Sequence, residues 1–134
     1  MKKIGTFNSP LSTAIAEMGH RDEMTVCDPG FPIPTGPKKV DLALCRNIPR
    51  FLDVLKVLSE ELAVEKVIAA AEAPAVSPQV LEWVRQFFPG VEIAFIPHWD
   101  LHRRSANTKC VVRTGEITPY ANVILVSGAK GVFY

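Results

Sequence analysis

The sequence predicts one compact α/β domain over residues 1–134, with a central mixed sheet flanked by short helices. Segments with helical periodicity alternate with short apolar strands along the whole chain. Three predicted helices share a start in which a polar capping residue comes shortly before a proline. A chain of 134 residues fits a single domain, and no repeat or low-complexity tract divides it.

The first predicted helix places a histidine at its end. It begins at Asn8-Ser9, a capping pair, with Pro10 in the first turn. We expect Gly19 to end it in a left-handed turn. His20 then lies directly after the helix C-terminus, where the helix dipole favours a protonated imidazole.

A stiff loop follows the first strand candidate, residues 24–27. Residues 28–37 hold four prolines and two glycines, which excludes a helix or a central strand. Because proline fixes φ, this loop should be extended and rigid. Asp28 stands at its start, and residues 40–44 are the next strand candidate.

The rest of the chain continues the alternation. Asn47 is expected to cap a helix with Pro49 in its first turn, and Ser77 with Pro78 to begin another. The polar segment 98–107 has room for a short helix. Four further segments are predicted strands: 64–71, 91–96, 109–113 and 122–126.

Composition excludes several classes of function. The formal net charge of +1 provides no basic field for nucleic acid, and Arg103-Arg104 is too small a patch for one. No stretch approaches the roughly 20 apolar residues of a membrane helix. Asn8 and the residues after it interrupt any secretory leader. These features predict a soluble, cytoplasmic protein.

The three cysteines, Cys27, Cys45 and Cys110, include no C-x-x-C pair. Each stands in an apolar, strand-like stretch, so all three are expected to be buried and reduced.

Three histidines are the most informative residues for chemistry, because imidazole moves protons near neutral pH. His20 and Asp28, eight residues apart, flank one short strand. A carboxylate bonded to His20 would raise the imidazole pKa and make it a general acid. The alternative is a surface histidine that is satisfied by water.

His98 and His102 are four residues apart, which on a helix is the spacing of a zinc-binding pair. The glutamate of the zinc motif is missing, so zinc is disfavoured and His102 is expected to be solvated. Tyr120 and Asn122 would share one face of a strand, where a phenol and an amide can grip hydroxyl groups. Alternatively, Tyr120 is a half-buried residue at a strand start.

Together these segments resemble the D-ribose pyranase family and its relatives, the fucose mutarotases. The resemblance covers almost the whole chain and is weakest from 73 to 90. The matching segments are Met18-Gly19-His20, Val26-Cys27-Asp28, Gly30, Pro32-Ile33-Pro34, Val40-Asp41-Leu42-Ala43-Leu44, Arg113-Thr114-Gly115-Glu116 and Pro119-Tyr120-Ala121-Asn122.

The resemblance implies a ribose pyranase-like fold and an isomerase that interconverts β-D-ribopyranose and β-D-ribofuranose by general acid/base ring opening and closure. It implies no organic cofactor and no catalytic metal. It also implies a monosaccharide substrate and a homo-oligomer, a decamer of two pentamers, with the sugar site near a subunit interface. The proton donor would be His20, and the sugar-binding residues would be Asp28, His98, Tyr120, Ala121 and Asn122, with His102 as a possible addition.

Two departures from the family pattern bear on the local geometry of the loop and on the role of residue 102. Pro29 stands where a small alanine is expected, and His102 replaces a residue that is usually a cation. The loop segment 30–34 lacks the histidine typical of fucose mutarotases, which favours ribose. A fucose mutarotase and a non-catalytic sugar-binding ring remain the alternatives.

Overall fold

A computed structural model describes the whole chain, residues 1–134, and contains six strands and five helices. The strands are β1 (Glu23–Cys27), β2 (Lys38–Asp41), β3 (Val64–Ala70), β4 (Glu92–Ile96), β5 (Cys110–Arg113) and β6 (Val123–Ser127). The helices are α1 (Ser9–Ala16), α2 (Phe51–Glu61), α3 (Ala73–Val76), α4 (Pro78–Phe87) and α5 (His98–Ser105). No helix combines the length and apolar character that crossing a bilayer requires.

The strands form one mixed sheet in the order β2-β5-β1-β6-β3-β4, which confirms the predicted fold class. β5 is parallel to β1 and β2, and β4 is parallel to β3. β6 is antiparallel to both of its neighbours, β1 and β3, so the other five strands all run the same way. Those five strands end at one edge of the sheet, the carboxyl edge, and β6 begins there. The opposite edge is the amino edge.

The first helix begins where the sequence predicts and ends earlier. The side chain of Asn8 accepts a hydrogen bond from the Leu11 N–H at 2.9 Å, which satisfies a free donor of the first turn. α1 ends at Ala16, so the expectation that Gly19 stops it is wrong. The residue with positive φ in this turn is Arg21, at 72°, and its N–H donates to the Ser127 carbonyl.

Two other predicted boundaries are shifted. Asn47 does not cap α2, because it adopts a left-handed conformation (φ 60°) and its side chain accepts from the Ile117 N–H instead. The helix begins at Phe51, where Asp53 accepts from the Arg50 N–H at 2.9 Å. β2 lies at Lys38–Asp41 rather than at 40–44.

The core lies on both sides of the central strands. Every residue of β6 and the last four of β1 are buried, so helices and loops cover both faces of the sheet. Cys27 and Cys110 are buried as expected, and burial raises the pKa of each thiol to about 12. Cys45 is exposed, contrary to expectation, because it lies in a turn bridged to Ile48 rather than in a strand.

A buried carboxylate joins α2 to the segment that leads into β6. The side chain of Glu116 is fully buried and accepts two hydrogen bonds from Arg50, each 3.1 Å long. It also accepts from the Phe51 N–H and from the backbone and hydroxyl of Thr118. Burial by itself raises the pKa of Glu116, but these hydrogen bonds outweigh it and hold the pKa below its ordinary value.

We expect Glu116→Ala to lower the free energy of unfolding by about 2 kcal/mol or more, because it leaves buried donors of Phe51 and Thr118 unpaired. Glu60→Ala, an exposed change near the end of the same helix, is the matched control. Urea unfolding followed by circular dichroism measures both. Equal midpoints for the two variants would contradict this account of Glu116.

Candidate active site

A reciprocal pair of hydrogen bonds forms the centre of the site. Asp28 directly follows β1 and Asn122 directly precedes β6, so the two residues are neighbours at the carboxyl edge. The Asp28 N–H donates to Asn122 Oδ1 at 2.8 Å, and Asn122 Nδ2 donates to Asp28 Oδ2 at 3.2 Å. The backbone and side chain of Asp28 are therefore both held by one buried amide.

The proline loop that begins at Asp28 is fixed at several points. Asp28 Oδ1 accepts from the Gly30 N–H at 3.0 Å, which closes a tight turn. Arg113, at the end of β5, donates to the Pro29 carbonyl from Nε at 3.3 Å and from Nη2 at 3.2 Å. It also pairs with Asp41 at 3.2 Å. Arg113 is not among the site residues that the sequence predicts. The signal available for it was its position at the end of a predicted strand, 109–113.

His98 and Tyr120 complete the cluster through ring contacts. His98 is the first residue of α5, and its ring meets the Tyr120 ring edge-on at a centroid distance of 5.3 Å. The ring of Phe31 also meets the His98 ring edge-on, at a centroid distance of 6.1 Å. Tyr120 and Asn122 precede β6, and Tyr120 has a left-handed φ of 61°, so the prediction that they share a strand face is wrong. Ala121, between them, is fully buried.

His102 holds the proline loop from the side of α5. Its Nε2 lies 2.9 Å from the Pro32 carbonyl, its ring stacks on Trp99 at 5.4 Å, and it meets Phe31 edge-on at 5.4 Å. The expectation of a purely solvated His102 is therefore wrong. No group of three His, Cys, Asp or Glu side chains is arranged to hold a metal ion.

The site keeps a carboxylate in partly desolvated surroundings. Burial raises the pKa of Asp28 above its ordinary value, and the hydrogen bonds from Asn122 and Gly30 only partly offset that rise. The nearby His98 also lowers the pKa of Asp28. A carboxylate, an imidazole, a phenol and an amide at one edge can together bind and exchange protons with a polyhydroxyl ligand.

His20 lies at the opposite edge of the sheet from the Asp28 cluster. It sits at the amino edge, before β1, whereas Asp28 follows β1, so about 16 Å of extended strand separates the two edges. Its Nε2 pairs with Glu65, at the start of β3, at 3.1 Å, and both side chains are partly exposed. The predicted contact between His20 and Asp28 within one chain is therefore wrong. Glu65 stands within the predicted strand 64–71, where the sequence alone indicates no functional role for it.

The fold and this cluster define a class: a single-domain α/β protein that carries a polar small-ligand site at the carboxyl edge of a mostly parallel sheet. The comparisons narrow the class. The chain belongs to the RbsD / FucU transport protein family, whose model matches residues 1–130.

Two relatives share far more than the fold. A D-ribose pyranase of Levilactobacillus brevis is 48% identical over 128 residues, which span 96% of this chain and 98% of that protein. The structure of Bacillus subtilis RbsD complexed with D-ribose is 44% identical, with a TM-score of 0.91, over 96% of this chain and 98% of the other.

A third relative shares the fold. The fucose mutarotase of Streptococcus pneumoniae, solved in complex with L-fucose, has a TM-score of 0.79 and 24% identity over 96% of this chain and 98% of that one.

The raised pKa of Asp28 predicts a pH dependence of stability. The folded chain binds the Asp28 proton more tightly than the unfolded chain, so the stability contributed by this group is fully present below 3.8, its ordinary pKa. It is lost as the pH rises through the higher native pKa. The difference in the free energy of unfolding between the native protein and Asp28→Asn should therefore fall as the pH rises from 3.8 through the native pKa. Urea unfolding of both proteins at a series of pH values measures it, and a rising difference would contradict the burial argument.

Proposed function

We propose that this chain is a sugar-ring isomerase that interconverts β-D-ribopyranose and β-D-ribofuranose. The observation that carries the proposal is the cluster of Asp28, Asn122, His98 and Tyr120 in a chain closely similar, over almost its full length, to proteins named for ribose. Its substrate is a monosaccharide.

The reaction needs proton transfer and no change of oxidation state. A base removes the proton of the anomeric hydroxyl, an acid protonates the ring oxygen, and the bond between C1 and the ring oxygen breaks to give the open aldehyde. The C4 hydroxyl then adds to C1, losing its proton to a base while the carbonyl oxygen gains one, and the furanose forms. Each well-placed acid or base contributes about 10²–10⁴-fold. Because the sugar also interconverts in water, modest acceleration is enough.

The cluster suits the binding part of this task. Asp28 presents a carboxylate whose position is fixed by Asn122 and Gly30, so it can accept from sugar hydroxyls without first being ordered. Tyr120 and His98 supply groups that both donate and accept. Ala121, buried between Tyr120 and Asn122, adds backbone contacts. His102 contributes indirectly, because it holds the Pro32 carbonyl of the proline loop.

We assign the proton donor to His20, supplied by a second copy of the chain. Within one chain His20 belongs to the amino edge and pairs with Glu65, away from the Asp28 cluster. An interface that sets the amino edge of one subunit against the carboxyl edge of the next would bring them together. In a closed ring of identical subunits, every interface would then form one complete site.

The surface around His20 is suited to such an interface. A cavity of about 480 Å³ is lined there by Ile15, Met18, His20 and Phe133, and this volume lies in the size class of small-ligand sites. Phe133 and Val132 are mostly exposed, which is unusual for large apolar side chains on a monomer. We propose a ring assembly, and the family resemblance favours a decamer of two pentamers. The same resemblance is the ground for proposing a cytoplasmic location.

Ribose is favoured over fucose by the loop and by the relatives. Phe31, in the loop segment where fucose mutarotases are expected to carry a histidine, is buried against the rings of His98 and His102. The fucose mutarotase shares the fold at 24% identity, against 44% and 48% for the ribose-named relatives.

Saturation-transfer NMR on ribose tests the activity. The native protein should speed exchange between the pyranose and furanose signals above the buffer rate, and His20→Ala should reduce the acceleration by about 10²-fold or more, since it removes an acid. Lys56→Ala, an exposed change on α2, is the control and should keep full activity. No acceleration by the native protein would refute the proposed function, and full activity of His20→Ala would remove His20 from the mechanism.

Subunit complementation tests the shared site. His20→Ala and Asp28→Ala should each be inactive as pure assemblies. After the two are dissociated, mixed equally and reassembled, about a quarter of the interfaces should pair a native His20 with a native Asp28 and recover activity. Native mass spectrometry checks the mixing and the size of the ring. Fully mixed rings without recovered activity would show that one subunit supplies both residues.

A further inference from the structure

One carboxylate at the carboxyl edge has no part in the chemistry described above. Glu72 lies two residues after the end of β3, at the same edge as Asp28, and its side chain contacts the start of α5. The His98 N–H donates to Glu72 Oε1 at 3.0 Å and to Oε2 at 3.3 Å. Glu72 is half-buried, so water competes only partly for this contact.

Glu72 supplies the helix-capping acceptor that the local sequence of α5 lacks. The residue before the helix is Pro97, which offers no side-chain acceptor, and no cap from within the helix is present. The Glu72 carboxylate takes that role from another element, and its negative charge also suits the positive end of the helix dipole. The first residue of α5 is thereby tied to the end of β3.

The ring of His98 is held mainly by packing contacts rather than by hydrogen bonds. Tyr120 and Phe31 both contact the ring edge-on, and its Nδ1 is buried without a hydrogen-bond partner within the chain. The polar anchor of this residue is therefore its backbone N–H on Glu72. A shift of the backbone would move the imidazole relative to Asp28.

We propose that Glu72 is a positioning residue, which fixes the start of α5 so that the His98 imidazole stays between Tyr120 and Phe31 and faces the sugar. This inference rests on the proposed function, because it assigns His98 to sugar binding. Glu72 itself makes no contact with the sugar. It acts through the backbone of His98.

The test compares three substitutions of Glu72. Glu72→Ala removes the acceptor and should raise the ribose concentration for half-maximal exchange about tenfold, the effect of losing a hydrogen bond to a charged group. Glu72→Gln keeps an oxygen acceptor on a side chain of the same length. Its ribose concentration for half-maximal exchange should therefore stay within about threefold of the native value. Glu72→Asp shortens the side chain, so its ribose concentration for half-maximal exchange should lie between those of the other two variants. It replaces the alanine variant if that one does not fold. Glu82→Ala, an exposed glutamate on α4, is the matched control.

A second readout does not depend on activity. The chain has three histidines, and in ¹H–¹⁵N spectra Glu72→Ala should move the imidazole signal of His98 while the backbone amide signal of Lys56, an exposed residue on α2, stays in place. An unchanged His98 signal together with unchanged half-saturation would overturn the proposal. If the native protein does not accelerate ribose exchange, the proposed function fails, and the His98 signal still decides whether Glu72 positions the ring.

Discussion

The direction of a single strand decides where the site forms. β6 runs antiparallel between β1 and β3, so its first residues lie beside the last residues of β1. That arrangement lets Asp28 and Asn122 exchange two hydrogen bonds, and it places Tyr120 and Ala121 at the same edge. With a parallel β6, the segment before it would lie at the amino edge. The mixed sheet is thus a requirement of the chemistry as well as of the core.

Rigidity is the second property of the site. Prolines restrict the φ angles of the loop after Asp28. Arg113 contacts the Pro29 carbonyl of this loop, and His102 contacts its Pro32 carbonyl. The carboxylate stays in place despite the unfavourable burial that raises its pKa. A site ordered before the sugar arrives loses little entropy on binding, which suits an enzyme for a reaction that needs only modest acceleration.

The division of groups between the two edges gives a reason for assembly. One chain holds the cluster proposed to bind sugar at the carboxyl edge, and a histidine with its own carboxylate partner, Glu65, at the amino edge. Neither set contains all the groups of the proposed mechanism, so the active site would be completed only by assembly of subunits. The fucose mutarotase shares the fold at 24% identity, so the fold by itself does not identify the sugar.

The sequence by itself determined the alternation of elements, the capped start of α1 at Asn8 and the rigid loop after Asp28, because these depend on local propensities and turn chemistry. It also identified His98, Tyr120 and Asn122, which the fold does bring to one edge. Only the tertiary structure decided that His20 is remote from Asp28, that Tyr120 is left-handed and that Glu72 anchors α5. Those facts depend on the order and direction of strands distant in sequence, and such pairing is set by the burial of the whole core.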